Sequence, residues 1–243
     1  YSPLKNHGDI GGVKVRPTFR ADQRFKENAA KSELEKRLDY FVEKGCKIAD
    51  YGFDFIDEGD ENFVWLIENC YKRKMILQLH FGTFRNVNAR MYEMCGKDSG
   101  FDIMRGAIDT DKLAKILDRE NARLGGLPKI VVYPLNDYDL RALGALTGAF
   151  PQVKLGAAWW FNDTVNGIKR QLETAAEYSA LGTQYGMLTD SRSFSSYVRF
   201  DFYRRILSTF IGERVKNGEY DEAAAIALAR KIAYENIKAA LLI

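Results

Sequence analysis

What most constrains the fold of this chain is an alternation: six short apolar runs separated by longer stretches with helical spacing. The runs are 12–19, 46–51, 75–82, 129–134, 153–161 and 185–192. Helical patterns fill 27–44, 63–72, 111–122, 137–150 and 168–181, and two more, 200–215 and 222–240, close the chain. In the first of these Leu34, Leu38, Phe41 and Val42 share one face, and Gly45 stops the helix. Strands alternating with helices of this length form βαβ units on a parallel sheet, buried on both faces. A doubly wound nucleotide fold would carry a Gly-rich phosphate loop after its first strand, and none follows Phe19. The series is therefore read as a (β/α) barrel, in which polar residues at the C-terminal strand tips converge on one mouth.

Those tips carry Arg20, Asp50, His80, Arg85, Trp159, Asp190 and Arg192. The run Tyr185-Gly186-Met187-Leu188-Thr189-Asp190-Ser191-Arg192 reads as a buried strand delivering a carboxylate to the mouth, with a guanidinium beside it. A carboxylate there can bind a metal or move a proton, and an arginine can clamp an anion. The same residues would also serve as a helix cap, through Asp190 or Ser191, with Arg192 as its ion-pair partner. His80 is a ligand-facing residue or a satisfied core histidine, and Arg20 and Arg85 are anion clamps or rim salt bridges. Strand alternation sends one ring of Trp159-Trp160 inward, to wall a sugar, and the other into the surrounding helices. His7-Gly8-Asp9 has no second histidine nearby and is not a metal motif.

Composition excludes more than it assigns. With 36 basic and 33 acidic residues, a net charge of +3 does not argue for nucleic acid or an anionic membrane. No apolar run approaches the length of a membrane span. The 3 cysteines, Cys46, Cys70 and Cys95, are odd in number and widely spaced, as expected of free thiols in the cytoplasm.

Several phrases together carry a family resemblance: Gln78-Leu79-His80-Phe81-Gly82-Thr83-Phe84-Arg85-Asn86, Gly156-Ala157-Ala158-Trp159-Trp160-Phe161-Asn162-Asp163 and Leu188-Thr189-Asp190-Ser191-Arg192-Ser193-Phe194. With Pro17-Thr18-Phe19-Arg20-Ala21-Asp22 and Phe202-Tyr203-Arg204-Arg205-Ile206-Leu207, they resemble the uronate (glucuronate) isomerase family. The resemblance implies a (β/α)8 TIM barrel of the metal-dependent amidohydrolase type. The chain would be a single domain holding about six βα units, the third through eighth strands. It also implies interconversion of D-glucuronate with D-fructuronate and of D-galacturonate with D-tagaturonate, using a divalent metal, Zn2+ first.

By that resemblance Asp190 is a metal ligand and proton-transfer group. Arg192 and Arg20 hold the substrate's carboxylate and hydroxyls, Trp159 is an aromatic wall, and His80 and Arg85 occupy the fifth-strand site. The family's His-x-His pair has no counterpart here, since the only histidines are His7 and His80. Tyr51 and Phe200 stand where the family often has further histidines. The ligand set is thus expected to be incomplete, with an upstream portion or a second chain supplying the rest; the protein is expected to be a homo-oligomer or to need that N-terminal part. A hydrolase of the same superfamily, and a sugar-acid-binding relative without its metal, are the alternatives.

Overall fold

The computed structural model describes residues 14–22, 25, 29–191 and 193–241. The expectations placed on His7-Gly8-Asp9 and on Arg192 lie outside the described residues.

The parallel sheet forms where the sequence is apolar on alternate positions twice over. Its strands are β1 (Thr18–Arg20), β2 (Ile48–Phe53), β3 (Ile76–Phe81), and then, after a two-stranded antiparallel excursion, β6 (Lys129–Pro134) and β7 (Val153–Leu155). The excursion pairs β4 (Thr83–Phe84) with β5 (Ile103–Met104). The five parallel strands stand in chain order, β1-β2-β3-β6-β7, as barrel strands do. Helices α1 (Lys31–Glu43), α2 (Glu61–Lys72), α4 (Thr110–Leu124) and α5 (Asp139–Ala149) link them, with α3 (Ala89–Cys95) inside the excursion and α6 (Val165–Tyr178) following β7. Asp60 starts α2 by accepting from the N–H groups of Asn62 and Phe63, a cap worth about 1 kcal/mol. Gly125 ends α4 in the left-handed conformation at φ 71°.

Strand alternation divides the sheet into two faces. Leu77, Leu79 and Phe81 of β3 and Ile130 and Val132 of β6 face the helices, in one core with Phe63, Leu66, Ile67, Leu113 and Ile116. Each such side chain contributes about 1.5–3 kcal/mol through burial. On the other face Ile76, Val131, Tyr133, Leu135 and Trp159 form a smaller cluster, covered by Tyr185, Leu188, Ala240 and Leu241.

Three sequence expectations are corrected. The 185–192 run is not a strand over its described residues and makes no ladder. Gly186 turns it at φ 75°, and a Cβ there would sit 2.5 Å from the carbonyl oxygen of Ile232. The 153–161 run is a strand only to Leu155: Trp160, at φ 51°, turns the chain into a 3-10 helix, Trp160–Asn162. Both indoles therefore pack on the inner cluster, rather than one on each face. Among the described residues the first strand is Thr18–Arg20. The closing helices are α7 (Val198–Lys216), α8 (Glu222–Arg230) and α9 (Asn236–Leu241), the last two joined by a π-helical turn, Lys231–Glu235.

Candidate active site

Register builds the floor of the site. Arg20, Asp50 and Gln78 are neighbours across β1, β2 and β3, and one pleat further on Gly52, His80 and Tyr133 are neighbours across β2, β3 and β6. All but Gly52 line a cavity of about 350 Å3. Its remaining wall is Thr18, Arg85, Trp159, Leu188 and Asp190.

Each floor side chain is held by a neighbour. The His80 Nε2 lies 3.2 Å from Asp50 Oδ2, and the Arg20 Nε lies 3.5 Å from the same oxygen. Arg20 also donates to Asp22 at 2.8 Å. Gln78 donates its side-chain N–H to the Tyr133 hydroxyl at 3.1 Å. Burial, opposed by that hydrogen bond, pushes the Tyr133 phenol above its ordinary pKa, so it stays protonated. Two glycines make room for these rings. A Cβ on Gly52 would lie 2.5 Å from His80 Cε1, and one on Gly156 would overlap the Tyr133 ring. The Trp159 indole meets the His80 ring edge-on at 5.6 Å between centroids. Its N–H is buried and finds no acceptor among the described residues.

Asp190 comes from the irregular 185–190 segment, at φ 47°. An aspartate in that region is uncommon, and such outliers gather at functional sites. Asp190 as a whole is exposed, yet partial withdrawal of its carboxyl from water raises its pKa above the ordinary value. His80, Arg20 and Arg85 oppose the rise and Asp50 adds to it. The capping role falls to Ser193, whose hydroxyl accepts the Ser195 N–H at the start of a 3-10 helix, Phe194–Tyr197.

The structure thus brings Asp190, Arg20, His80, Arg85 and Trp159 to one cavity, as their places at the ends of the runs implied. Each of the two arginines is in an ion pair, as the salt-bridge reading expects, and each also lines the cavity. Thr18, Gln78, Tyr133 and Leu188 were missed, and Asp50 was noted only as a strand tip. Gln78 was legible, being two residues before His80 on the same strand face. Among the described residues no group of three or more His, Cys, Asp or Glu could hold a metal ion, so the donors on view do not fit a divalent metal by themselves.

Comparison with known proteins bears on the same residues. Residues 59–240 match the family model described as glucuronate isomerase. The uronate isomerase of Mannheimia succiniciproducens is 33% identical over 87% of this chain and 53% of its own length. That of Serratia proteamaculans is 34% identical over 84% of this chain and 51% of its own. The chain thus spans about half the length of the curated relatives it matches. Among solved structures, the uronate isomerase of Thermotoga maritima superposes with a TM-score of 0.85 at 25% identity, over 96% of this chain and 62% of its own. The glucuronate isomerase of Caulobacter crescentus gives 0.78 at 24% identity, over 87% of this chain and 50% of its own. The sequential parallel strands are accordingly part of a (β/α)8 barrel, and the chain belongs to the uronate (glucuronate) isomerase family.

Proposed function

We propose that the cavity binds an open-chain uronate and belongs to an aldose–ketose isomerase acting on the D-glucuronate/D-fructuronate and D-galacturonate/D-tagaturonate pairs. The observation that carries the reading is the composition of one cavity: a carboxyl with a raised pKa, Asp190, faces two arginines and a histidine. Isomerisation needs a group that takes a proton from C2 and returns it at C1. A carboxyl held above its ordinary range is better matched to that exchange than an unperturbed one. Arg20 and Arg85 supply donors in the planar geometry that a sugar carboxylate accepts. Arg192 is proposed as a third such donor. Trp159 gives the sugar an apolar wall, and His80, oriented by Asp50, presents its ring to the hydroxyls.

Asp190 would be one ligand of a divalent metal, Zn2+ first, of the kind amidohydrolase-type barrels use, which would supply Lewis-acid chemistry when bound. The described residues do not complete its donor set.

The test is conversion of D-glucuronate to its ketose by protein carrying this chain, supplied with Zn2+ or Mn2+. Asp190→Asn is expected to lower the turnover number by about 10²–10⁴-fold. Equal turnover in the variant would contradict the assignment of Asp190. No ketose from the unmodified protein under any metal supply would contradict the isomerase reading.

A further inference from the structure

The excursion between β3 and α4 has little core of its own. Its strands are two residues each, and none of α3 is buried. Phe84, Val87, Tyr92, Met94, Ile103 and Met104 are all exposed. Such a segment is a poor use of chain for stability alone, yet its turn geometry is fully specified. Thr83 pairs with Met104 and Phe84 with Ile103, so the next opposed positions are Arg85 and Asp102. Arg85 Nη1 donates to Asp102 Oδ2 at 2.8 Å. The other oxygen of Asp102 accepts the backbone N–H of Asn86 at 2.8 Å. Asn86 is itself turned to φ 53°. One carboxylate therefore fixes both the arginine side chain and the backbone immediately after it. The Asp102 side chain is 9% exposed against 49% for Arg85, so the anchor is inside and the arginine reaches outward.

A second element supports the same guanidinium. Arg85 lies over the Trp160 ring, 4.8 Å from guanidinium carbon to ring centroid. Trp160 in turn stacks on Phe161, 5.2 Å between centroids and 9° from parallel. The left-handed backbone of Trp160 is costly for a bulky aromatic, and it lets consecutive indoles serve two purposes. Trp159 walls the cavity while Trp160 lies beneath Arg85.

We propose that Asp102 and Trp160 are positioning residues that aim Arg85 at a ligand carboxylate, making the 83–104 excursion part of the recognition site. The guanidinium has five N–H donors in a fixed fork; Nη1 is bonded to Asp102 and lies 3.8 Å from an oxygen of Asp98, and the side chain also lines the cavity. The proposal rests on the uronate reading, which the test separates from it.

The experiment measures, by titration calorimetry on the 243-residue chain, the affinities of D-glucuronate and of its uncharged analogue D-glucuronamide. The ratio of the two reports carboxylate recognition, whereas loss of fold weakens both ligands together. The unmodified chain is expected to favour the uronate, and Arg85→Ala to reduce the preference more than any variant of its two supports, Arg20 keeping part of it. Asp102→Asn is expected to cut it about tenfold, the scale of one charge-assisted hydrogen bond, with glucuronamide affinity kept. Trp160→Leu is expected to cut it less, and Trp160→Phe, which keeps a ring face, to restore most of it. Retention of the full preference by Asp102→Asn and Trp160→Leu would overturn the positioning role. So would an equal fall for both ligands, which would assign the two residues to the fold alone. If the unmodified chain binds no uronate, the uronate reading fails first, and this proposal with it.

Discussion

The cavity has a floor and a rim built on opposite principles. On the floor Asp50, Gln78 and His80 project from strands whose register fixes them to one another. On the rim Leu188 and Asp190 hang from a segment with no ladder hydrogen bonds, turned at Gly186 and again at Asp190. The floor is preorganised by backbone pairing, which costs nothing further when a ligand arrives. The rim is held by packing of Tyr185 and Leu188 on the inner cluster, with Asp190 in the left-handed conformation that aspartate adopts more readily than most side chains. The two carboxylates differ accordingly. Asp50 is held between His80 and Arg20 on the floor, while Asp190 reaches the cavity from the rim.

That contrast can be broken by mutation, and the largest expected effect lies beneath the floor. Leu79 is fully buried between β3 and the helices, so Leu79→Ala should lose about 2–5 kcal/mol of stability in denaturant unfolding. Leu188→Ala on the half-buried rim should lose about 1 kcal/mol. Equal losses would mean that rim and floor are one cooperative unit and not two regimes. Next in size is Gly52→Ala. The new methyl must displace the His80 ring, at a cost of about 1–3 kcal/mol, and uronate affinity should fall with it. Unchanged stability and unchanged affinity would show that His80 is free to move and that the floor is not preorganised.

The smallest effect sharpens the comparison through pH. A raised folded-state pKa means that the native protein holds the Asp190 proton more tightly than the unfolded chain does. Its contribution to stability is then lost as pH rises from the unfolded value of about 3.9 through the higher folded one. Asparagine does not titrate. The stability of Asp190→Asn relative to the unmodified chain should therefore increase over that window and be flat above it, as read from thermal unfolding at stepped pH. A decrease over the same window would mean that the native site favours the ionised carboxylate.

How much of this was legible in the sequence follows the same division. Strands β2, β3 and β6 could be read because helices cover one face and the cavity the other, and such burial leaves unbroken apolar runs. The 185–190 segment has the same apolar composition but is not a strand. Composition records that a segment is buried, not whether a neighbour offers it a ladder. Asp190 was nonetheless found, because burial ending in an acid marks a cavity wall on either backbone. The excursion went unread because strands of two residues fall below any period, and α3 buries nothing to create one. Asp102 could not be linked to Arg85, 17 residues away, without the hairpin register. Trp160 was misplaced because alternation was carried across a turn that only its positive φ reveals.

The most direct test of the central claim, that this cavity is a uronate site, uses the scarcity of histidine. The chain has 2 histidines, so its imidazole proton spectrum is nearly empty, and comparison with His80→Gln assigns the His80 signal. On titration with D-glucuronate the account expects the His80 resonance to shift, saturably, while D-glucose at the same concentration leaves it in place. A His80 resonance that ignores D-glucuronate, or that responds equally to both sugars, would contradict it.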